Sequence, residues 1–410
     1  MADDSERLEV ATQRLEHWPC SPVEAMGRLR GYTPGRGHFL LEALQPDEGP
    51  HRFSVVGYRV RRGQLLPPWT DWLDAYADVE AAPAPEGATL AERMARGMAR
   101  AHVGAFTATS PFTRLGVSAP PDAGGSLVMV GATVLVFDHR ENHLVAAGPA
   151  KGNLVPRILY ELEHGTAPGP LPPAPTEGAR AAEVEVTKGL GIQAAPDEEK
   201  LAARIARAVG YLDEDELPAL TLARAWSAPR RAADAFDIYR AWREQTDAPS
   251  GFFCDFGQTP MQEAIAVLGF ARETLHLRRP GTPGPSWCDA LQAVLPHLAG
   301  TASRDPLALR MLTKLEDASR EFFGGAIGYV MPGGGAGVML SDHQTLHLAG
   351  DVCIARAGVP LSLASLPSSG VSSPAAAAIA ASSRAVAPAW AALARAQRAS
   401  TSSRGDRDAG

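Results

Sequence analysis

Phe39-Leu40-Leu41-Glu42-Ala43 and His51-Arg52-Phe53-Ser54-Val55-Val56-Gly57 are short apolar runs separated by the turn-forming residues Gln45-Pro46-Asp47-Glu48-Gly49-Pro50. Runs of this length, bounded by Gly, Pro and Asp, read as strands. The same alternation extends from Ser21 to about Gly148. Its clearest hairpin has a nearly continuous β-prone run over Leu127 to Phe137. Turn chemistry follows in Asp138-His139-Arg140-Glu141-Asn142, and His143-Leu144-Val145-Ala146 returns. The first segment, 21–164, is therefore expected to be rich in sheet.

Beyond it, the Pro-, Ala- and Gly-rich stretch from Gly165 to Gly178 resists regular structure and marks a linker over 165–195. Asp197 precedes a helical pattern of Leu201, Ile205, Val209 and Leu212. Asp234 precedes another carrying Phe236, Tyr239 and Trp242. Strand candidates lie at Ala219 to Ala225, Gly251 to Phe256 and Ala264 to Leu268. Helices are predicted from Ser286 and from Asp305, then short strands at Gly325 to Met331, Gly337 to Leu340, Thr345 to Leu348 and Val352 to Ala355. Helices mixed with antiparallel-looking strands indicate an α+β fold rather than a doubly wound parallel one. A second domain is predicted over 196–360, intertwined with or adjacent to the first, with residues 1–20 as an N-terminal extension.

Residues 361–410 are dominated by Ala and Ser and read as a C-terminal tail. Ala375 to Gln397 has helical propensity but a weak apolar stripe of Ile379, Val386, Trp390 and Leu393, and Pro388 is expected to kink or split it. The final eleven residues are expected to be disordered.

The 410 residues carry a net charge of −7 with both signs interspersed, which argues against nucleic acid and anionic membranes as partners. Cys20, Cys254, Cys288 and Cys353 form no CxxC pair and read as reduced, mostly buried thiols. The acidic N-terminus lacks an apolar leader and no run is expected to span a bilayer, so the expected location is the cytoplasm.

Several of these strings, in order, resemble motifs of one family. Phe39–Ala43 and Arg52–Gly57 resemble the "LLES … RYSFIG" signature of the large subunit (component I) of anthranilate synthase and of its chorismate-binding relatives. Val134-Leu135-Val136-Phe137-Asp138-His139 resembles "VVVFDH". Asp237-Ile238-Tyr239-Arg240-Ala241 with Ala248-Pro249-Ser250-Gly251-Phe252-Phe253 resembles "DLYRALR … SPYMFF". Gly324-Gly325-Ala326-Ile327-Gly328-Tyr329 resembles "GGAVGY". Together they cover roughly residues 21 to 360.

The resemblance implies that family's fold, antiparallel sheets flanked by helices. It also implies its reaction, in which chorismate and ammonia give anthranilate and pyruvate. That chemistry needs cations and amides around a dianionic substrate, Mg²⁺ among them, and a proton donor beside the departing hydroxyl. A glutaminase subunit supplies the ammonia. Carried over residue by residue, Glu273 falls on the catalytic acid of "GASPE". Thr282, Tyr329 and Gly350 fall on substrate-binding positions in "AGT", "GGAVGY" and "AGAG".

Elsewhere the chain departs from the pattern. Pro283-Gly284-Pro285-Ser286-Trp287-Cys288 stands where "EHxMLVDLARND" would carry a metal-binding glutamate. Leu307 replaces the lysine of "GTxSGAPK", and Ser341 replaces the arginine after "AIAI". Asp351 sits in the carboxylate loop, where it would repel an anion by roughly 4 kcal/mol at an effective dielectric of about 20. Pro360-Leu361-Ser362-Leu363-Ala364-Ser365-Leu366-Pro367 stands where the second metal glutamate and a lysine belong.

No metal ligand set is therefore assigned, and Mg²⁺ is expected only if the chain is active. The implied protein is a non-catalytic partner or regulatory paralogue, pairing with a glutaminase subunit or an intact paralogue; the alternative is an active chorismate lyase. The feedback site for tryptophan uses the serine of "LLES", here Ala43, so tryptophan control is not expected. Pro332 to Gly337 lacks the Lys of a phosphate loop and reads as a hairpin turn. His343 and His347 have no third ligand in the sequence pattern.

Overall fold

The structure is a computed structural model that describes residues 7–17, 20–32, 37–43, 52–65, 84–107, 126–130, 133–172, 189–212, 217–257, 264–272, 274–278, 301–302, 305–316, 320–332, 335–340, 344–363 and 374–408. The predicted strands form, and they pair across the linker. β2 (Gly37–Ala43) lies between β3 (Phe53–Leu65) and β10 (Ser250–Asp255), with Ala43 opposite Ser250 and Leu40 opposite Phe253. Likewise β4 (His102–Phe106) pairs with β13 (Ala326–Val330). The two sequence segments are thus interleaved in shared sheets.

From β2 and β10 the first sheet continues through β11 (Ile265–Ala271), β15 (Thr345–Ala349), β16 (Val352–Ser362), β9 (Ala219–Pro229) and β8 (Gln193–Ala195). On its other side β3 pairs with β6 (Thr133–Asp138), β6 with β7 (His143–Pro149), and β7 with β1 (Leu8–Arg14). The second sheet is β12 (Thr274–Arg278), β14 (Gly335–Leu340), β13, β4 and β5 (Ser126–Val130). All pairings among the described residues are antiparallel. β3 serves both sheets: Phe53–Tyr58 pair with β6, and Arg61–Leu65 with β5.

Alternation along the strands assigns side chains to two cores. Phe39, Leu41, Val55, Phe252 and Val267 of the first sheet meet Val103, Leu127, Met129 and Ile327 of the second. Leu40, Val56, Phe253, Leu268 and Ala355 point the other way, under α1 (Pro22–Tyr32), α3 (Leu154–His164), α5 (Ala235–Arg243) and α7 (Pro374–Asp408). Because both faces are covered, Phe39-Leu40-Leu41 is apolar throughout rather than alternating. α2 (Leu90–Met98) packs on β6 and β7, and α4 (Glu198–Val209) and α6 (Pro306–Leu315) close a third cluster over β9 and β16.

Local chemistry sets the helix starts. The carboxylates of Asp197, Asp234 and Asp305 accept from the backbone N–H of Lys200, Phe236 and Leu307 at 2.9, 2.8 and 2.6 Å, satisfying donors the first turn leaves open. The helix expected from Ser286 lies outside the described residues.

The C-terminal segment differs from its expectation. Instead of a tail, Leu361 is buried at the end of β16 and α7 is a core element. Its Val386, Ala389, Trp390, Leu393 and Ala396 are buried. Arg395 reaches Glu244 at 2.5 Å and the carbonyl of Pro172, and Gln397 donates to the carbonyl of Pro229 at 2.9 Å. The helix runs through Pro388, which lies on its exposed side, and its backbone stays helical to Asp408. Ala376–Thr401 is also long and apolar enough to cross a membrane, by length and composition alone. The sequence pattern did not lead us to expect such a span; here that apolar face is covered by α5 and β16.

Candidate functional site

At one end of the space between the sheets the packing leaves a cleft of about 490 Å³, open water at its mouth included. Small residues create it. Ala43 and Ser250 sit opposite each other on β2 and β10, and Gly337 lies opposite Tyr329 on β14 and β13. A side chain at Gly337 would start 2.8 Å from the Tyr329 ring and hydroxyl, so only glycine lets that ring lie flat on the strand. Phe53 and Val55 of β3, Met94 of α2 and Met339 of β14 complete the apolar walls, and Thr274 hydrogen-bonds Ser250 at 3.3 Å. Met94 had gone unnoticed in the sequence. Its helix was signalled by the capping box Thr89-x-x-Glu92, whose two reciprocal bonds are present at 2.9 and 3.1 Å.

Glu42 borders this cleft, but its charge is engaged elsewhere. It is only 2% exposed, accepts from the Tyr239 hydroxyl at 2.8 Å and from Arg243 Nε at 2.9 Å, and ion-pairs with Arg243 Nη2 at 2.8 Å. Burial pushes its carboxyl above the usual range, with Arg243 opposing. The role of this triad is to fasten α5 to β2.

A second polar cluster lies on the first sheet. Nδ1 of His347 is 2.6 Å from a Glu321 oxygen, and Arg356 Nη1 is 2.8 Å from the same oxygen. An ionised carboxylate can only accept, so Nδ1 carries the proton. Glu321 has a φ of +45°, a left-handed conformation costly outside glycine, and the two partners hold it there. Burial works against its ionisation, but His347 and Arg356 outweigh burial and bring its pKa to about 2. A depressed carboxyl pKa stabilises the fold above the ordinary glutamate value of 4.5, and that contribution disappears as pH falls towards 2. The shift corresponds to about 3 kcal/mol. Urea unfolding at pH 7 and pH 3 should therefore show a loss that the Glu321→Gln variant lacks in part; identical pH profiles would refute this.

Of the sequence-derived site residues, Tyr329 and Gly350 fall within the described residues. Tyr329 is buried on the cleft. Gly350 is in the β15–β16 turn with φ +54°, and its N–H donates to Ala264 at 2.9 Å. Ser250 on the cleft pairs with Ala271 at one end of β11, while the residue before Gly350 pairs with Ile265 at the other. Six residue steps, about 20 Å, divide them. Ser250, which shares the cleft with Tyr329, and the turn that carries Gly350 thus lie at opposite ends of β11. Glu273, Thr282, Ser341 and His343 lie outside the described residues. Leu307, at the position of the expected lysine, is in the first turn of α6 against its apolar cluster. Asp351 is exposed, and Cys20, Cys254 and Cys353 are buried free thiols.

Among the described residues no group of three His, Cys, Asp or Glu side chains is placed to hold a metal ion. Mg²⁺ needs carboxylates in fixed places, and the described residues do not gather them.

Comparison with known proteins gives the lineage. A search of curated protein sequences finds no match. The fold is similar to that of anthranilate synthase component I from Streptococcus pneumoniae, at 14% identity over 83% of this chain and 93% of that one, with a TM-score of 0.63. It is also similar to the menaquinone-specific isochorismate synthase from Escherichia coli, at 13% identity over 94% of both chains, with a TM-score of 0.60. At such identities the likeness speaks for the fold alone, α+β with large antiparallel sheets. The profile of the chorismate binding enzymes matches residues 68–282, a stretch that runs straight through the linker. That match spans just over half of the chain, and this chain belongs to the chorismate binding enzyme family.

Proposed function

We propose that this chain keeps the family scaffold without its metal-dependent lyase chemistry, and acts as a non-catalytic partner or regulatory paralogue. The observation that carries the reading is in the last strand and helix. After Pro360 the only carboxylate side chains are Asp406 and Asp408. The packed part of α7 presents alanine, valine, leucine and tryptophan instead. Mg²⁺ dehydrates reluctantly and needs carboxylates in fixed places. Two further features support the reading. Arg356, a cation on the strand that follows Gly350, is held by Glu321, and Asp351 adds negative charge beside that turn.

The partner that suits this reading is a glutamine amidotransferase subunit or an intact paralogue, in the cytoplasm. Titrating the purified protein with chorismate, with and without Mg²⁺, tests the proposal. Parallel assays follow anthranilate fluorescence with ammonium as nitrogen donor and the formation of isochorismate. We expect no metal-dependent binding and no product from folded protein. Product formation in either assay would establish an active enzyme and make Glu273 the first residue to substitute.

A further inference from the structure

We propose that β1 (Leu8–Arg14) is an open sheet edge on which a second copy of this chain docks, strand against antiparallel strand, to form a two-fold dimer. The proposal stands whether or not the chain is catalytic. β1 lies at one end of the first sheet and, among the described residues, pairs only with β7. The Arg7 carbonyl accepts from the Ala150 N–H at 2.8 Å, and the Leu15 N–H donates to the Asn142 carbonyl at 2.9 Å. The register between these two bonds is unbroken. In an antiparallel pair the backbone groups of alternate residues face the neighbouring strand. Arg7, Glu9, Ala11, Gln13 and Leu15 therefore face β7, and the N–H and C=O groups of Leu8, Val10, Thr12 and Arg14 face outward.

The opposite edge of the first sheet is guarded. β8 has only three residues. Beyond it the edge of β9 is capped by side chains: the Ala223 N–H donates to Glu316 at 2.6 Å, and Arg320 donates to the Thr221 carbonyl at 2.7 Å. β1 has seven residues and no Pro, Gly or Lys, the usual devices against strand addition. Leu8 and Val10 pack into one core and Ala11 and Leu15 into the other, which holds the edge in place. The edge also complements itself. Antiparallel pairing centred on Ala11 sets Leu8 opposite Arg14, and Val10 opposite Thr12, of the other copy. Every outward group then meets an outward group across an isologous contact. Ala11 faces its own counterpart at the axis. Glu9 lies near one end of β1 and Arg14 at the other. The antiparallel arrangement brings each beside the opposite charge of the other copy, whereas parallel pairing would align like with like.

The test is sedimentation velocity of the full chain across the micromolar range, where a monomer–dimer equilibrium is expected. Thr12→Pro removes an outward N–H and leaves the bonds to β7 in place, a position where an edge strand tolerates proline. It is expected to weaken dimerisation at least about tenfold, because a symmetry-related pair of hydrogen bonds is lost and the ring obstructs the approaching strand. Thr12→Ala keeps the N–H and should associate like the wild type. Should Thr12→Pro fail to fold, cross-linking decides. Facing residues at the axis have Cα atoms about 4.5 Å apart, within disulfide reach. Ala11→Cys should therefore give a linked dimer under mild oxidant, and Glu9→Cys, remote from its own counterpart, should not. The proposal is overturned by folded wild-type protein that stays monomeric, by Thr12→Pro that associates as the wild type does, by Thr12→Ala that weakens association as much as Thr12→Pro, or by Ala11→Cys that cross-links no more than Glu9→Cys.

Discussion

Truncation after Ser373 is expected to abolish cooperative folding, leaving protein that aggregates or melts without a transition. The cut removes Val386, Trp390 and Leu393, all buried against α5 and the first sheet. Each large apolar side chain contributes about 1.5 to 3 kcal/mol on burial, and Ala389, Ala392 and Ala396 add to them. The anchors of Arg395 on Glu244 and Gln397 on Pro229 go as well. The total rivals the whole stability of a typical domain, about 5 to 15 kcal/mol. A point substitution grades the same effect: Trp390→Ala should lose about 3 to 5 kcal/mol. Trp390→Phe should lose about 1 kcal/mol, because the indole N–H has no hydrogen-bond partner to forfeit. Thermal and urea unfolding read both variants. A truncated chain that melted cooperatively at the wild-type temperature would mean that this segment is a dispensable tail after all.

Arg243→Met should destabilise the protein by about 3 kcal/mol at pH 7. It leaves the Glu42 carboxylate, 2% exposed, with only the Tyr239 hydroxyl. Removing one partner of a buried ion pair costs about 3 to 5 kcal/mol; the lower figure applies because the Arg243 side chain is 37% exposed. The pH dependence has a definite sign. Burial already raises the Glu42 pKa above 4.5, and loss of Arg243 raises it further. A raised carboxyl pKa means that folded protein holds its proton more tightly, so stability falls as pH rises through the folded-state value. The deficit of the variant against wild type should therefore shrink as pH is lowered towards 4.5. A deficit of equal size at every pH would show that Arg243 acts through packing of its stem rather than through charge. The opposite sign at Glu321, where stability is lost on acidification, separates the two glutamates in one set of measurements.

Much of the architecture was legible in the residues. Leu127 to Phe137 and His143 to Ala146 announced the β6–β7 hairpin, although the first run divides between β5 and β6, which serve different sheets. Aspartates at 197, 234 and 305 announced α4, α5 and α6, because a carboxylate at the first turn is local chemistry. The site was less legible. Tyr329 and Gly350 were grouped through a shared resemblance, and the strand register places Ser250, which shares the cleft with Tyr329, and the turn of Gly350 at opposite ends of β11. The weak stripe of α7 hid a core helix because alanine contributes little to an apolar pattern, yet it packs closely against α5 and β16.

What the sequence by itself determined is whatever depends on neighbouring residues: strand periods, helix caps, the α+β class, and the composition of the chain after Pro360. Only the tertiary structure decided which strands share a sheet, that β2 joins β10 across more than two hundred residues, and that Ala43, Ser250 and Gly337 meet around one cleft. The physical reason is that hydrogen-bond register and void space arise between segments distant in the chain. A small residue looks alike in sequence whether it lines a cavity or fills a core, and the packing around it makes the difference.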